Sequence, residues 1–226
     1  VVGGKTPFVI FVKNNAGESK RTVEKKWIGR DIPLQPEGIK LTLDTKSKVT
    51  LTWTAPTKGK NGGYVNPSDL RYKIVRYPDE VVVADSHVGT TFSEEITPQT
   101  LTAYYYKVSA VNEGYTGEEI VSNKVLVGDP LEAPYVEEFD GQPAFDLFTV
   151  FDANKDGRTW VMNKVDNMVY NQFNTVRDAD DWLISPPIHL NNDRQYFFSF
   201  VVQSTNKLNT ERISASLGNG TVIIGG

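Results

Sequence analysis

Along this 226-residue chain apolar residues keep returning at every second position, and no segment repeats them at the spacing of an amphipathic helix. That rhythm confines the fold to β-structure. In Lys48–Trp53 the side chains of Val49, Leu51 and Trp53 share one face, and in Tyr104–Ala110 those of Tyr104, Tyr106, Val108 and Ala110 do so. A strand of this kind buries one face against something else, so the expected class is all-β with two packed sheets per module. The length suits about two domains.

Composition narrows the partners. Hydrophobic residues make up 39% and charged residues 23%, as in a folded soluble protein. A net charge of -4 and a pI near 5.3 supply no basic field, so no nucleic acid and no anionic membrane surface is expected as partner. With no cysteine there is no disulfide framework, thiolate nucleophile or cysteine zinc site. No apolar run approaches the ~18 residues of a membrane span, so no membrane insertion is expected. Val1–Gly4 lacks the pattern of a signal peptide, and Thr221–Gly226 reads as a strand with no partner following it. The sequence therefore reads as a piece of a longer, exported protein, secreted or on the outer cell surface.

An internal echo at an offset of just under one hundred residues sets the organisation. Phe8–Ser19 alternates and then turns at Asn and Gly, and Tyr104–Gly114 does the same. Each is followed by a strand and then by Gly, Asp and Pro in that order: Gly29, Asp31 and Pro33 first, Gly128, Asp129 and Pro130 second. A further proline follows at Pro36 and Pro134. Proline fixes φ and removes a ladder donor, so each cluster marks a module end and a semi-rigid linker. Residues 1–35 are then the last strands of a first module, 36–130 a complete second one, and 131–226 a third of different texture, whose sheet is expected to be incomplete.

The second module resembles a fibronectin type III domain. Trp53 within Leu51–Pro56, Tyr72 within Leu70–Arg76, and the alternating run Tyr104–Asn112 carry the resemblance, which implies an immunoglobulin-like β-sandwich with Trp53 at the core centre. It also implies a tyrosine whose hydroxyl ties to a nearby loop backbone, here Tyr104. The stretch Thr57–Ser68 is a long insertion by that pattern. Residues 131–226 resemble the cleaved-adhesin modules of gingipain-type proteins and, more loosely, MAM and carbohydrate-binding jelly-rolls. Glu137–Asp140, Phe148–Trp160, Asp180–Leu190 and a strand over Tyr196–Val202 carry that resemblance, which implies a jelly-roll β-sandwich.

Asp152, Asn154 and Asp156, followed by Gly157, place three oxygen-bearing side chains at alternate positions before a sharp turn. Such a loop gathers hard ligands for calcium, or else caps its own backbone as an Asx turn. Position 163 is Asn rather than the closing Glu of an EF-hand. The adhesin resemblance implies a structural calcium, with Asp181, Asp180 or Glu138 completing its shell. Trp160 and Tyr170 are candidate faces for a sugar ring; Trp182, Trp27 and Trp53 are assigned to packing. His87 and His189 lie about a hundred residues apart in different modules and form no catalytic set with their neighbours; His189 is expected to face solvent. Asn219–Thr221 is either a glycosylation triplet or a hairpin turn. No catalytic constellation is recognisable, so the chain is not expected to be an enzyme. The expected function is adhesion or ligand binding, the partner a host or environmental glycan or protein. The alternative is an ancillary C-terminal region of a secreted protease or polysaccharide-degrading enzyme.

Overall fold

The computed structural model describes residues 3–203 and 213–218. The strand expected over Thr221–Gly226 and the triplet Asn219–Thr221 lie outside the described residues. The chain divides between Asp129 and Pro130 into two compact units.

The first unit opens with a hairpin. Strand β1 (Gly4–Ile10) pairs antiparallel with β4 (Thr22–Ile28), and its tip carries the short pair β2 (Lys13–Asn14) and β3 (Gly17–Glu18). Both faces of this ribbon carry apolar side chains in the open: Phe8, Ile10 and Ile28 lie on one, Val9 and Val23 on the other. Among the described residues no third strand pairs with this ribbon.

The sandwich follows. Strands β5 (Glu37–Leu43), β6 (Lys48–Thr54) and β9 (Thr91–Glu95) form one sheet with β6 central. The other sheet has the order β11 (Tyr115–Val121), β10 (Thr102–Asn112), β7 (Leu70–Tyr77), β8 (Val81–His87), and β12 (Val125–Val127) also pairs with β10. A sheet of three strands against one of five, with the chain crossing between them after β6, β8 and β9, is an immunoglobulin-like sandwich of fibronectin type III kind. The faces follow the period-2 reading. Val49, Leu51 and Trp53 point inward from β6, opposite Tyr72 and Ile74 of β7 and Tyr106, Val108 and Ala110 of β10. Trp53 meets Tyr72 edge-on at 4.9 Å, and the Trp53 Nε1 and the Tyr72 hydroxyl are both buried without a hydrogen-bond partner.

Polar groups also tie the two sheets together. Arg76 of β7 bonds Glu94 of β9 at 2.8 Å and Asp79 at 2.6 Å, while the Tyr106 hydroxyl donates to the other oxygen of Glu94. Burial and the Glu94 carboxylate both push the Tyr106 hydroxyl up, so it stays a proton donor at any physiological pH. The role expected of Tyr104 is not what the strand shows. The Tyr104 ring lies 5.7 Å under the Arg76 guanidinium, and it is Tyr106, two residues on and on the same face, whose hydroxyl reaches across. Asn123 joins the sheets at the far edge, accepting from the Leu41 N–H at 2.8 Å and donating to the Leu41 carbonyl at 2.9 Å.

The second unit is built from short ladders. Strand β13 (Leu131–Glu132) pairs parallel with β18 (Ile188–His189), β14 (Thr149–Asp152) antiparallel with β17 (Asp181–Ile184), and β15 (Trp160–Asn163) antiparallel with β16 (Met168–Asn171). A single helical turn, α1 (Gln142–Asp146), interrupts the β pattern where Pro143 sits in its first turn, a position that needs no N–H. Phe139 and Phe148 pack across that turn with ring centres 5.1 Å apart. Among the described residues of this unit, two sheets closed over a core, as a jelly-roll has, are not assembled. The strand expected over Tyr196–Val202 is not formed: the segment runs unpaired, with Phe197 and Val201 almost fully exposed. Alternation gives a segment the capacity for a ladder, but a strand exists only beside a partner, and no described strand lies along this one.

Candidate functional site

The loop after β14 is shaped by the side chains that drew attention in the sequence. Asp152 Oδ2 accepts from the Gly157 N–H at 2.9 Å and its Oδ1 from the Asp156 N–H at 3.2 Å. Asn154 Oδ1 accepts from the same Asp156 N–H at 3.1 Å, and Asp156 Oδ1 from the Arg158 N–H at 2.7 Å. These are nested Asx turns, with Gly157 in the left-handed region at φ 76°. The Arg158 N–H, with the amides of Asn174 and Asn154, outweighs partial burial and holds the Asp156 carboxyl below the usual carboxylate range.

Asp181 is brought to the same place by register rather than by the loop. It is the direct cross-strand partner of Asp152 in the β14–β17 ladder, so two carboxylates stand on one face at adjacent strands. Like charges in that relation repel. Asp181 Oδ2 accepts from Asn171 Nδ2 at 2.9 Å, whereas its Oδ1 is buried and has no partner. The Thr159 hydroxyl is likewise buried and unpartnered. Asp180 is exposed, and its backbone carbonyl accepts from the Ala153 N–H at 3.0 Å. Glu138 is also exposed, on the segment before α1. Among the described residues no three carboxylate or imidazole side chains gather closely enough to hold a metal ion.

Two residues that the sequence did not single out belong to this cluster. Asn174 Nδ2 donates to Asp156 Oδ2 at 2.6 Å, and Asn171 serves Asp181. Their signal was the density of Asn and Asp across Asn171–Asp181; nothing in it said which would turn inward. The two aromatic candidates do not form one platform. Trp160 pairs with Asn171 and Tyr170 with Val161, so their rings lie on opposite faces of the β15–β16 ladder. Trp160 is half-buried and donates its N–H to the Asp181 carbonyl at 3.2 Å, while Tyr170 is 45% exposed. His189 faces solvent as expected, its Nδ1 3.0 Å from Glu132.

A second polar site, unforeseen in the sequence, lies where the hairpin joins the sandwich. Asp31 is 3% exposed, and four N–H donors converge on its carboxylate: the backbone N–H of Ile32 at 2.9 Å, of Asn61 at 2.9 Å and of Gly63 at 2.8 Å, and Asn61 Nδ2 at 2.8 Å. Burial alone would raise this carboxyl, but the bonds from Asn61, Gly63 and Ile32 outweigh it and hold the group below its ordinary range. Glycine is required on both walls. A Cβ at Gly59 would collide with the Asp31 carboxyl, and one at Gly63 would collide with the Trp27 ring and lie 2.7 Å from Asp31 Cβ. Gly59, Asn61 and Gly63 all belong to the insertion Thr57–Ser68. The same insertion pairs with the linker through Leu34 N–H to Lys58 carbonyl at 3.1 Å and Lys60 N–H to Ile32 carbonyl at 2.8 Å. Arg30 adds an ion pair to Glu113 at 2.9 Å. A cleft of about 200 Å³ beside the joint is lined by Trp27, Arg30, Asp31, Ile32, Asn61 and Tyr115, among others.

No protein-family model matches the chain, and no curated protein matches it. Among solved structures it is similar to domains d3-d4 of the rat CD45 extracellular region, with 15% identity over 54% of this chain and 64% of that one and a TM-score of 0.37. It is also similar to an Fn3-like protein from Clostridium thermocellum, with 24% identity over 45% of this chain and 98% of that one and a TM-score of 0.31. A third is the chicken CNTN1 FN1-FN3 domains, with 17% identity over 55% of this chain and 43% of that one and a TM-score of 0.33. The strand order and register of β5 to β12, rather than these distant likenesses, make that part of the chain a β-sandwich of fibronectin type III kind.

Proposed function

We propose that this chain is a non-catalytic segment of an extracellular modular protein, in which the sandwich is a spacer and residues 131–226 belong to a jelly-roll-type module that contacts the ligand. The observation that carries the spacer reading is where the chain joins and leaves the sandwich. Arg30, just before β5, pairs with Glu113 at the far end of β10, whereas β12 ends at Val127 opposite Thr102, where β10 begins. The two junctions are thus separated by the eleven residues of β10, roughly 36 Å at ~3.3 Å per residue. A module threaded in this way adds its length to a string. The ligand is a glycan or a protein of a host or the environment. An ancillary region beside the catalytic domain of a secreted protease or polysaccharide hydrolase would use the same spacer. Pulling the chain through handles at residues 29 and 129 tests the reading. One cooperative event releasing roughly 300 Å of chain is expected, and gradual extension at low force would defeat it.

The buried, unpartnered Oδ1 of Asp181, the residue in register with Asp152 across the ladder, favours a cation in the second unit. As placed, these carboxylates do not gather closely enough to share an ion; with the loop drawn in, Asp152, Asn154, Asp156 and Asp181 would hold a structural calcium, which would neutralise the opposed carboxylates. As placed, the Asn154 and Asn174 amides donate N–H groups to Asp156, so both would turn to offer oxygen instead. Thermal unfolding with and without millimolar calcium should show a rise that Asp181→Ala and Asp152→Ala abolish. No shift would leave the loop as a self-capped turn.

A further inference from the structure

The joint between the hairpin and the sandwich carries more structure than a linker needs. Linkers rich in proline and polar residues are ordinarily solvated and move freely at their ends. Here the linker contributes a carboxylate that is almost wholly buried, every donor around it comes from a fixed backbone or from Asn61, and both walls are glycine because nothing larger fits. The insertion that supplies Gly59, Asn61 and Gly63 is itself anchored. The Asn112 amide, 3% exposed at the end of β10, donates to the Asn66 carbonyl at 2.8 Å and accepts from the Asn66 N–H at 3.2 Å. Val65, 2% exposed, is part of the sandwich core. A continuous path of bonds therefore runs from β10 through Asn66, Val65 and Gly63 to Asp31, and thence to Trp27, the β4 side chain that sits against Gly63 and bonds the Arg30 carbonyl at 3.0 Å.

We infer that Asp31 is the pin of a locked joint: it seats in the Gly59–Gly63 segment and makes the β1–β4 hairpin and the sandwich move as one rigid body. The insertion Thr57–Ser68, which departs from the plain pattern of such a sandwich, is the socket. The inference concerns this joint alone and holds whether or not the sandwich serves as a spacer. A flexible linker would let whatever precedes the sandwich swing. A pinned one transmits orientation from the hairpin to the sandwich.

The chain has no cysteine, so spin labels can be placed on Lys25→Cys in β4 and Val88→Cys beyond β8, both exposed positions, without removing any native thiol. Double electron–electron resonance on the full chain should give a single narrow distance distribution. Asp31→Ala, which leaves three backbone donors and an amide facing nothing, should broaden it about two-fold or more. Asp31→Asn keeps the shape but turns one acceptor into a donor, and should broaden it less while leaving the circular dichroism spectrum and the single cooperative transition of the sandwich in place, at a lower midpoint. Gly63→Ala, whose Cβ would press on both the Trp27 ring and Asp31, should broaden it as well. A distribution already broad in the unmodified chain, or one unchanged by both Asp31→Asn and Gly63→Ala, would overturn the inference.

Discussion

Two aspects of the sandwich are decided by single polar atoms. Asp31 has its carboxyl held below the ordinary value in the folded chain, so its contribution is fully present above the unfolded value, ~3.9, and is lost as pH falls through the lower folded one. Comparison of Asp31→Asn with the unmodified chain by urea unfolding should therefore show a deficit at neutral pH that shrinks as the solution is acidified below about pH 4. Asp31→Ala should cost on the order of 2–4 kcal/mol, since several buried donors lose their acceptor at ~1–3 kcal/mol each with partial relaxation. The two buried tyrosine hydroxyls behave oppositely. Tyr72→Phe removes a hydroxyl without a partner and should be neutral or slightly stabilising, while Tyr106→Phe strips Glu94 of a donor at the sheet interface and should cost about 1–3 kcal/mol. A Tyr72→Phe loss as large as that of Tyr106→Phe would mean that the Tyr72 hydroxyl has a partner in solution.

At the scale of elements, the same alternating pattern has three fates. In β6 and β10 it is buried and pays for the core: Leu51, 1% exposed and central in its sheet, should cost about 2–5 kcal/mol on truncation to alanine. In β1 and β4 it is paired but open on both faces, so Phe8→Lys with Ile10→Lys should leave the unfolding of the sandwich unchanged and raise the concentration at which the chain self-associates, read by analytical ultracentrifugation. A loss of sandwich stability from that pair would show that the hairpin faces are covered. Over Tyr196–Val202 the pattern is neither paired nor covered among the described residues. Period 2 states which side chains share a face; it does not state what lies opposite them.

At the scale of the molecule, residues 29–129 contain both sheets, the core and the socket, and should unfold cooperatively when produced alone, with thermal and urea transitions that coincide by fluorescence and circular dichroism. The sequence by itself determined the β class and the inward faces of β6 and β10, and it left the Asp152–Gly157 loop open between a calcium loop and an Asx turn. The first two rest on local chemistry, the alternation of apolar side chains along each strand. Only the tertiary structure decided that Tyr106 rather than Tyr104 reaches across the sheets, that Asp181 stands opposite Asp152, that Trp160 and Tyr170 face apart, and that an apparent linker aspartate is a buried pin. Those facts depend on register and on contacts between residues thirty or more apart in some cases, as between Asp31 and Gly63. Residue type fixes what a side chain can bond, while the partner it meets is set by how strands slide and pack against one another.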